Sequence, residues 1–120
     1  MNHSKSNFLS KCDLIVGKSN LKILDRDGWG SVEKFSVDWR KKFIGKPLAV
    51  CFPTSVDQLK RIVELSTATG VSLVPQGGNT GLSGGATPDS SSKQVVICLS
   101  RMNRIRSTDY KNRTVTLDAG

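Results

Sequence analysis

No stretch of this 120-residue sequence approaches the roughly 18–20 consecutive apolar residues that a bilayer-spanning helix needs. Histidine is almost missing. The one copy, His3, lies at the start and offers neither a metal cluster nor an acid–base pair. The three cysteines, Cys12, Cys51 and Cys98, form no C-x-x-C pair and have no histidine beside them, which excludes the common zinc spacings. An odd set of thiols, two of them inside apolar runs, fits a reducing compartment. Aromatic residues make up only 6% of the chain and form no aromatic-rich strand of the RNA-binding kind. Acidic residues are also short, 10 against 18 Lys and Arg, for a net charge of +8.

That imbalance favours anionic partners: nucleic acid, a diphosphate cofactor, a carboxylate substrate or an acidic protein. With no helix-turn-helix pattern and no zinc spacing, nucleic acid is set aside as a partner, although charge alone keeps a basic nucleic-acid-binding module as a competing reading. A composition of 37% hydrophobic and 23% charged residues is that of one small globular domain. The start, MNHSKSNFLSKCDLIVG, has no continuous apolar segment and no small-residue cleavage pattern. The expected location is therefore cytoplasmic, or mitochondrial if the source is eukaryotic.

Along the chain, residues 1–47 read as an amino-terminal arm. Its first 20 residues are either a mobile end or a helix packed on the body, and 21–47 form a connection with turns at Asp27-Gly28 and Gly45-Lys46-Pro47. Trp29 and Trp39 read as packing residues. From Leu48 the pattern sharpens. LAVCF (48–52) is a buried strand ended by Pro53. Ser55 with Gln58 three residues on forms a capping box, and Val56, Leu59, Ile62, Val63 and Ser66 recur at helical spacing. Gly70 suits the helix end, and VSLVP (71–75) is a second strand. Strand, helix and strand make a βαβ unit with parallel strands. A third strand, VVICL (95–99), follows a glycine-rich loop, and RIRST (104–108) with RTVTLDA (113–119) reads as a β-hairpin. The fold class is α+β. Arg101, Arg104 and Arg106 form a cluster that either faces an anion or is a solvated strand face.

The strongest chemical signal is PQGGNTGLSGGATPD (75–89), with Gly77, Gly78, Gly81, Gly84 and Gly85. Glycine is costly in ordered chain, so such a run needs either left-handed turns or a ligand approaching the bare backbone. Successive N–H groups in such turns make concave anion sites, most often for phosphate. The dinucleotide fingerprint G-x-G-x-x-G fails at Asn79 and no helix opens after the loop. The P-loop pattern fails for want of a Lys-Ser/Thr after the glycines. What remains is a phosphate cradle of loop backbone, with Gln76, Asn79, Thr80 and Ser83 as neutral donors, or a flexible glycine-rich surface loop.

This loop resembles the FAD diphosphate loop of the flavoprotein family that includes vanillyl-alcohol oxidase, D-lactate dehydrogenase and D-2-hydroxyglutarate dehydrogenase. DWR (38–40), GKPLAV (45–50), Pro53-Thr54-Ser55, LSRMNRI (99–105) and NRTVTLDAG (112–120) are similar to the hydroxyacid branch in the same order. The resemblance implies the first part of a PCMH-type FAD-binding domain over 48–120, with a D-2-hydroxy acid, 2-hydroxyglutarate- or lactate-like, oxidised to the 2-oxo acid. It places Pro75, Gln76, Gly77, Gly78, Asn79, Thr80, Gly81 and Leu82 around the FAD diphosphate, and Gly84 and Gly85 toward the flavin ring. Ser100, Met102 and Asn103 fall at further FAD contacts, and Pro53 and Thr54 lie near the dinucleotide path. Some relatives attach FAD through a histidine in this loop. Asn79-Thr80 stands there instead, so FAD is expected to be bound non-covalently. An electron-transfer flavoprotein or a quinone is the implied acceptor, and a homodimer is left open. No catalytic residue or metal ligand is assigned. The expectation is an amino-terminal piece of a longer enzyme, inactive alone, whose remaining FAD domain and substrate domain lie downstream. Another FAD-linked oxidoreductase of the same fold, or a non-catalytic remnant, are the competing readings.

Overall fold

The computed structural model describes residues 2–120. Four strands form one sheet: β1 (Leu21–Ile23), β2 (Ala49–Cys51), β3 (Ser72–Gln76) and β4 (Gln94–Cys98), in the spatial order β1-β2-β4-β3. Both β2 and β3 run parallel to β4, and β1 adds an antiparallel edge. The expected parallel pair is present, but β2 and β3 are not neighbours, because β4 sits between them. Burial explains the insertion. Val95, Val96, Ile97 and Cys98 are all buried, as are Ala49, Val50 and Cys51, so these two strands need cover on both faces. The outer strand β3 alternates and buries only Val74 and Gln76.

Strand alternation divides the core in two. On one face Ala49, Cys51, Val95 and Ile97 meet α1 (His3–Val16) and α4 (Val56–Thr69) through Phe8, Leu9, Cys12, Val16, Ile62 and Leu65. On the other face Val50, Val74, Val96 and Cys98 meet Val32, Phe35 and Phe52. The short helices α2 (Leu24–Asp27) and α3 (Trp29–Val32) lead into that second layer. Residues 2–47 therefore contribute to both layers of the body. The first part is a helix, and the sequence reading of 21–47 missed β1, a strand of only three residues. Cys12 of α1 and Cys51 of β2 meet in the core between the helices and the sheet. The neighbouring Cys51 thiol, and then burial, push the Cys12 thiol well above its ordinary range, which favours its neutral form.

Helix α4 begins as its sequence indicates, with a variation. The Ser55 hydroxyl accepts the Gln58 N–H at 3.2 Å, but the Gln58 carboxamide reaches the Thr54 N–H at 2.9 Å, one residue before the cap. The chain turns left-handed at Gly70 (φ 72°), whose N–H closes on the Ser66 carbonyl. The buried stripe is Ile62 and Leu65 with Leu59 packed beside them. Val56 is 63% exposed and Val63 is also exposed, so those two do not belong to the apolar face assigned from spacing. Ser55→Ala should cost about 1 kcal/mol in urea unfolding, because it orphans a first-turn N–H.

The expected hairpin forms from β5 (Ile105–Asp109) and β6 (Thr114–Leu117), with a register shift around Arg106. It stands outside the main sheet with every strand residue exposed. Asp118 fastens its base. Arg106 and Arg104 both donate to that carboxylate and hold it below the usual carboxylate range. No helix among the described residues is long and apolar enough to cross a membrane.

Candidate functional site

The three parallel strands end side by side, and the residues just beyond their carboxyl ends line one cleft. Phe52 extends from β2, Gly77, Gly78 and Asn79 from β3, and Ser100 and Arg101 from β4. Open α/β sheets place ligands at this end of their strands. The seam between the last two is closed by the Leu99 N–H on the Gln76 carbonyl, at 2.9 Å. Lys22 of β1 and Lys34-Phe35 line the same cleft, an open cavity of about 440 Å³.

Its electrostatics are one-sided. Phe35 and Phe52 meet edge to face with centroids 5.2 Å apart. The Lys22 ammonium lies 6.0 and 5.9 Å from the two ring centres, Lys34 lies 5.0 Å from Phe35, and the Arg101 guanidinium lies 4.8 Å from Phe52. Among the described residues, no Asp or Glu lines the cleft and none of these three cations takes part in a salt bridge. An anion is the ligand that such a lining favours.

The loop is held by two amides. Gln76, buried to 2% exposure, gives its side-chain N–H groups to the Phe35 and Ala86 carbonyls, both at 2.9 Å. Asn79 gives its own to Val37 at 3.0 Å and Lys34 at 3.3 Å. Both side chains were read as ligand donors beside the backbone amides, but their donors are spent on the chain itself. They position the loop against residues 34–37. The left-handed residues of the loop are Gly84 (φ 78°) and Asn79 (φ 55°). Of the two reasons that such a glycine run offers, left-handed turns apply to Gly84 and not to the other loop glycines. A Cβ on Gly78, Gly81 or Gly85 would meet no atom within 4 Å. Their bareness leaves room beside the backbone, as a closely approaching ligand requires.

Of the residues singled out from sequence, Gln76, Gly77, Gly78, Asn79 and Ser100 come together in the cleft. Pro75, Thr80, Gly81 and Leu82 are exposed around it. Gly84 and Gly85 line a second cavity with Phe43, Ile44 and Pro88. Met102 and Asn103 stay outside the cleft, where the Met102 N–H bonds the Leu99 carbonyl. Pro53 is buried and Thr54 bonds Gln58, so Phe52 is the residue of that block that reaches the cleft. The arginine cluster splits, with Arg101 entering the cleft while Arg104 and Arg106 hold Asp118. The DWR block is structural at its first residue. Asp38 is buried, its Oδ1 takes the Phe43 N–H at 2.7 Å, and its Oδ2 is left without a partner. That inward turn sends Trp39 out to 71% exposure, and Trp29 is also exposed, so neither tryptophan is a core residue. Lys22, Lys34 and Phe35 carried no signal in the sequence, because the pairing of β1 with β2 places Lys22 and the bonds from Gln76 and Asn79 hold Lys34-Phe35 against the loop.

Residues 47–120 match the family model described as a FAD binding domain. The chain belongs to this FAD-binding family. It is similar to a D-2-hydroxyglutarate dehydrogenase of Xanthomonas citri pv. viticola, 36% identical over 89 residues, 74% of this chain and 18% of that relative. It is also similar to a D-2-hydroxyglutarate–pyruvate transhydrogenase of Saccharomyces cerevisiae, 33% identical over 102 residues, 85% of this chain and 20% of that relative. Among solved structures, an alkyldihydroxyacetonephosphate synthase superposes with a TM-score of 0.70 at 22% identity, over 93% of this chain and 22% of its own. That likeness shows the fold, which is α+β of the PCMH type. The chain spans about a fifth of the length of the relatives it matches. FAD is the cofactor this family membership gives the chain. The cleft fits it: bare backbone at Gly78 beside three cations that form no salt bridge among the described residues.

Proposed function

We propose that this chain is the FAD-binding part of an oxidoreductase that converts a D-2-hydroxy acid, 2-hydroxyglutarate- or lactate-like, to its 2-oxo acid. The observation that carries the cofactor half of this reading is the union of bare glycine backbone and three cations at the carboxyl ends of the parallel strands. The names of the relatives support the substrate half. When bound, FAD supplies the hydride-accepting chemistry, and the protein supplies position and charge.

In this reading Gly77, Gly78 and Asn79 present backbone to the diphosphate, and Gln76 holds that backbone in place. Ser100 and Arg101 close the side, and the exposed Pro75, Thr80, Gly81 and Leu82 follow the ligand at the rim. Gly84 and Gly85 lead toward the flavin ring, and Met102 and Asn103 flank the path. Binding is non-covalent, because Asn79-Thr80 offers no nucleophilic imidazole. The base that takes the hydroxyl proton and the cations that hold the substrate carboxylate belong to the rest of the enzyme. The acceptor is an electron-transfer flavoprotein or a quinone, and the enzyme is cytoplasmic, or mitochondrial in a eukaryote. A homodimer is compatible with this reading.

Titrating the purified chain with FAD, followed by flavin fluorescence, tests the reading against NAD and duplex DNA. A change selective for FAD is the expected result. Silence toward FAD together with salt-sensitive DNA binding would overturn it.

A further inference from the structure

We infer that Lys22 and Lys34, which lie upstream of the matched domain at 47–120, are binding residues for the phosphates of an ADP-containing ligand. The inference rests on the FAD reading and adds to it where the charge comes from. The matched domain contributes one of the three cleft cations, Arg101, and the segment before it contributes the other two.

Each lysine is placed by the fold. Lys22 pairs directly opposite Val50, and cross-strand partners share a face, so it points to the layer of Phe35 and Phe52. Its neighbours Leu21 and Ile23 pair with Cys51 and Ala49 on the helical face, which leaves Lys22 as the one β1 side chain on the cleft side. Lys34 precedes the buried Phe35, and its carbonyl accepts a bond from the Asn79 side chain, which ties it to the phosphate loop.

The two phenyl rings explain how like charges are held together. A ring face attracts a cation without forming a salt bridge, and among the described residues none of the three is within salt-bridge distance of a carboxylate, which leaves their charge for a ligand. A carboxylate partner would have cancelled that charge. Lys34 lies against Phe35 and Arg101 against Phe52, whose ring centres are 5.2 Å apart, and Lys22 lies within 6.0 Å of both rings, so the three cations gather around the ring pair. A nucleoside diphosphate carries the anionic part of FAD, the diphosphate that joins its two halves, and suits such a group of cations without needing the flavin.

The test compares ADP, inorganic pyrophosphate and FAD by calorimetry on the wild-type chain, K34M, K22M/K34M and a remote charge control, K11M. Lys11 is exposed on α1, and methionine keeps the apolar stems over the rings. Lys34 is exposed, so K34M leaves the fold intact and protects the test if the double variant misfolds. ADP affinity should fall about threefold in K34M and at least about tenfold in K22M/K34M, with K11M unchanged. The salt dependence of ADP binding should flatten in the same order, which a packing role would not produce. Pyrophosphate binding as tightly as ADP would assign the site to the diphosphate alone, and tighter ADP binding would bring in the adenosine. Unchanged ADP and FAD affinity in both lysine variants would overturn the inference and leave the FAD reading standing. Lysine-dependent ADP binding without FAD binding would do the reverse. A wild-type chain that binds none of the three would overturn both.

Discussion

Replacing Gly78 and Gly81 together by valine is expected to weaken FAD binding at least about 100-fold, roughly 2.7 kcal/mol, while leaving the stability of the chain within about 0.5 kcal/mol of the original. Both halves follow from the geometry. Neither residue has a positive φ, and a Cβ at either would meet nothing within 4 Å, so the chain itself gives no reason for glycine there. In the proposed reading, valine would instead fill the open space beside the loop backbone where the diphosphate approaches. Gly84→Val makes the contrast. Its φ is 78° and its Cβ would fall 2.8 Å from the Phe43 ring, so that change should cost stability whether or not a ligand is present. Fluorescence titration and urea unfolding of the same three samples separate the effects. Intact FAD binding in the double variant would remove the cradle from the account. A large loss of stability would mean that the glycines serve the fold.

The second large effect lies away from the cleft, at Gly45. This residue is buried in a seam where its N–H meets the Ser36 carbonyl at 2.8 Å and the following Lys46 N–H meets Asp89 at 2.7 Å. A Cβ there would fall well inside the Pro88 carbonyl, which is backbone and cannot swing aside. Gly45→Ala must displace either the 36–44 loop or the 88–92 turn. The expected cost is about 3 kcal/mol or more, at or above the top of the range for overpacked interiors, with a fall in Tm on the order of 10 °C or more. FAD binding should weaken too, because the Val37 carbonyl that anchors Asn79 belongs to the displaced loop. A melting curve that matched the original would mean that the seam is open in solution.

Much of the second half of the fold was legible because its signals are local. The LAVCF, VSLVP and VVICL runs became strands, the Ser55 cap and Gly70 bounded a helix, and the turn between two alternating runs made a hairpin. Where local patterns misled, a tertiary contact had intervened. Val56 and Val63 fit the helical period, yet α1 covers only the stripe that contains Ile62 and Leu65. Trp39 is a large apolar residue that lies outside because the buried carboxylate of Asp38 takes the inward position of that turn. Gln76 and Asn79 are chemically suited to hold a phosphate, and the fold uses their amides to hold its own carbonyls.

By itself the sequence determined that a glycine-rich loop follows a βαβ unit in a basic α+β domain. Spacing, capping and glycine content express backbone geometry over a few residues, and those constraints hold wherever the segment lies. Only the tertiary structure decided that β4 inserts between β2 and β3, that the three strand ends meet at one cleft, and that Lys22 and Lys34 furnish most of its charge. Strand order and cross-strand register arise from burying both faces of a sheet at once, and no window along the chain contains that condition.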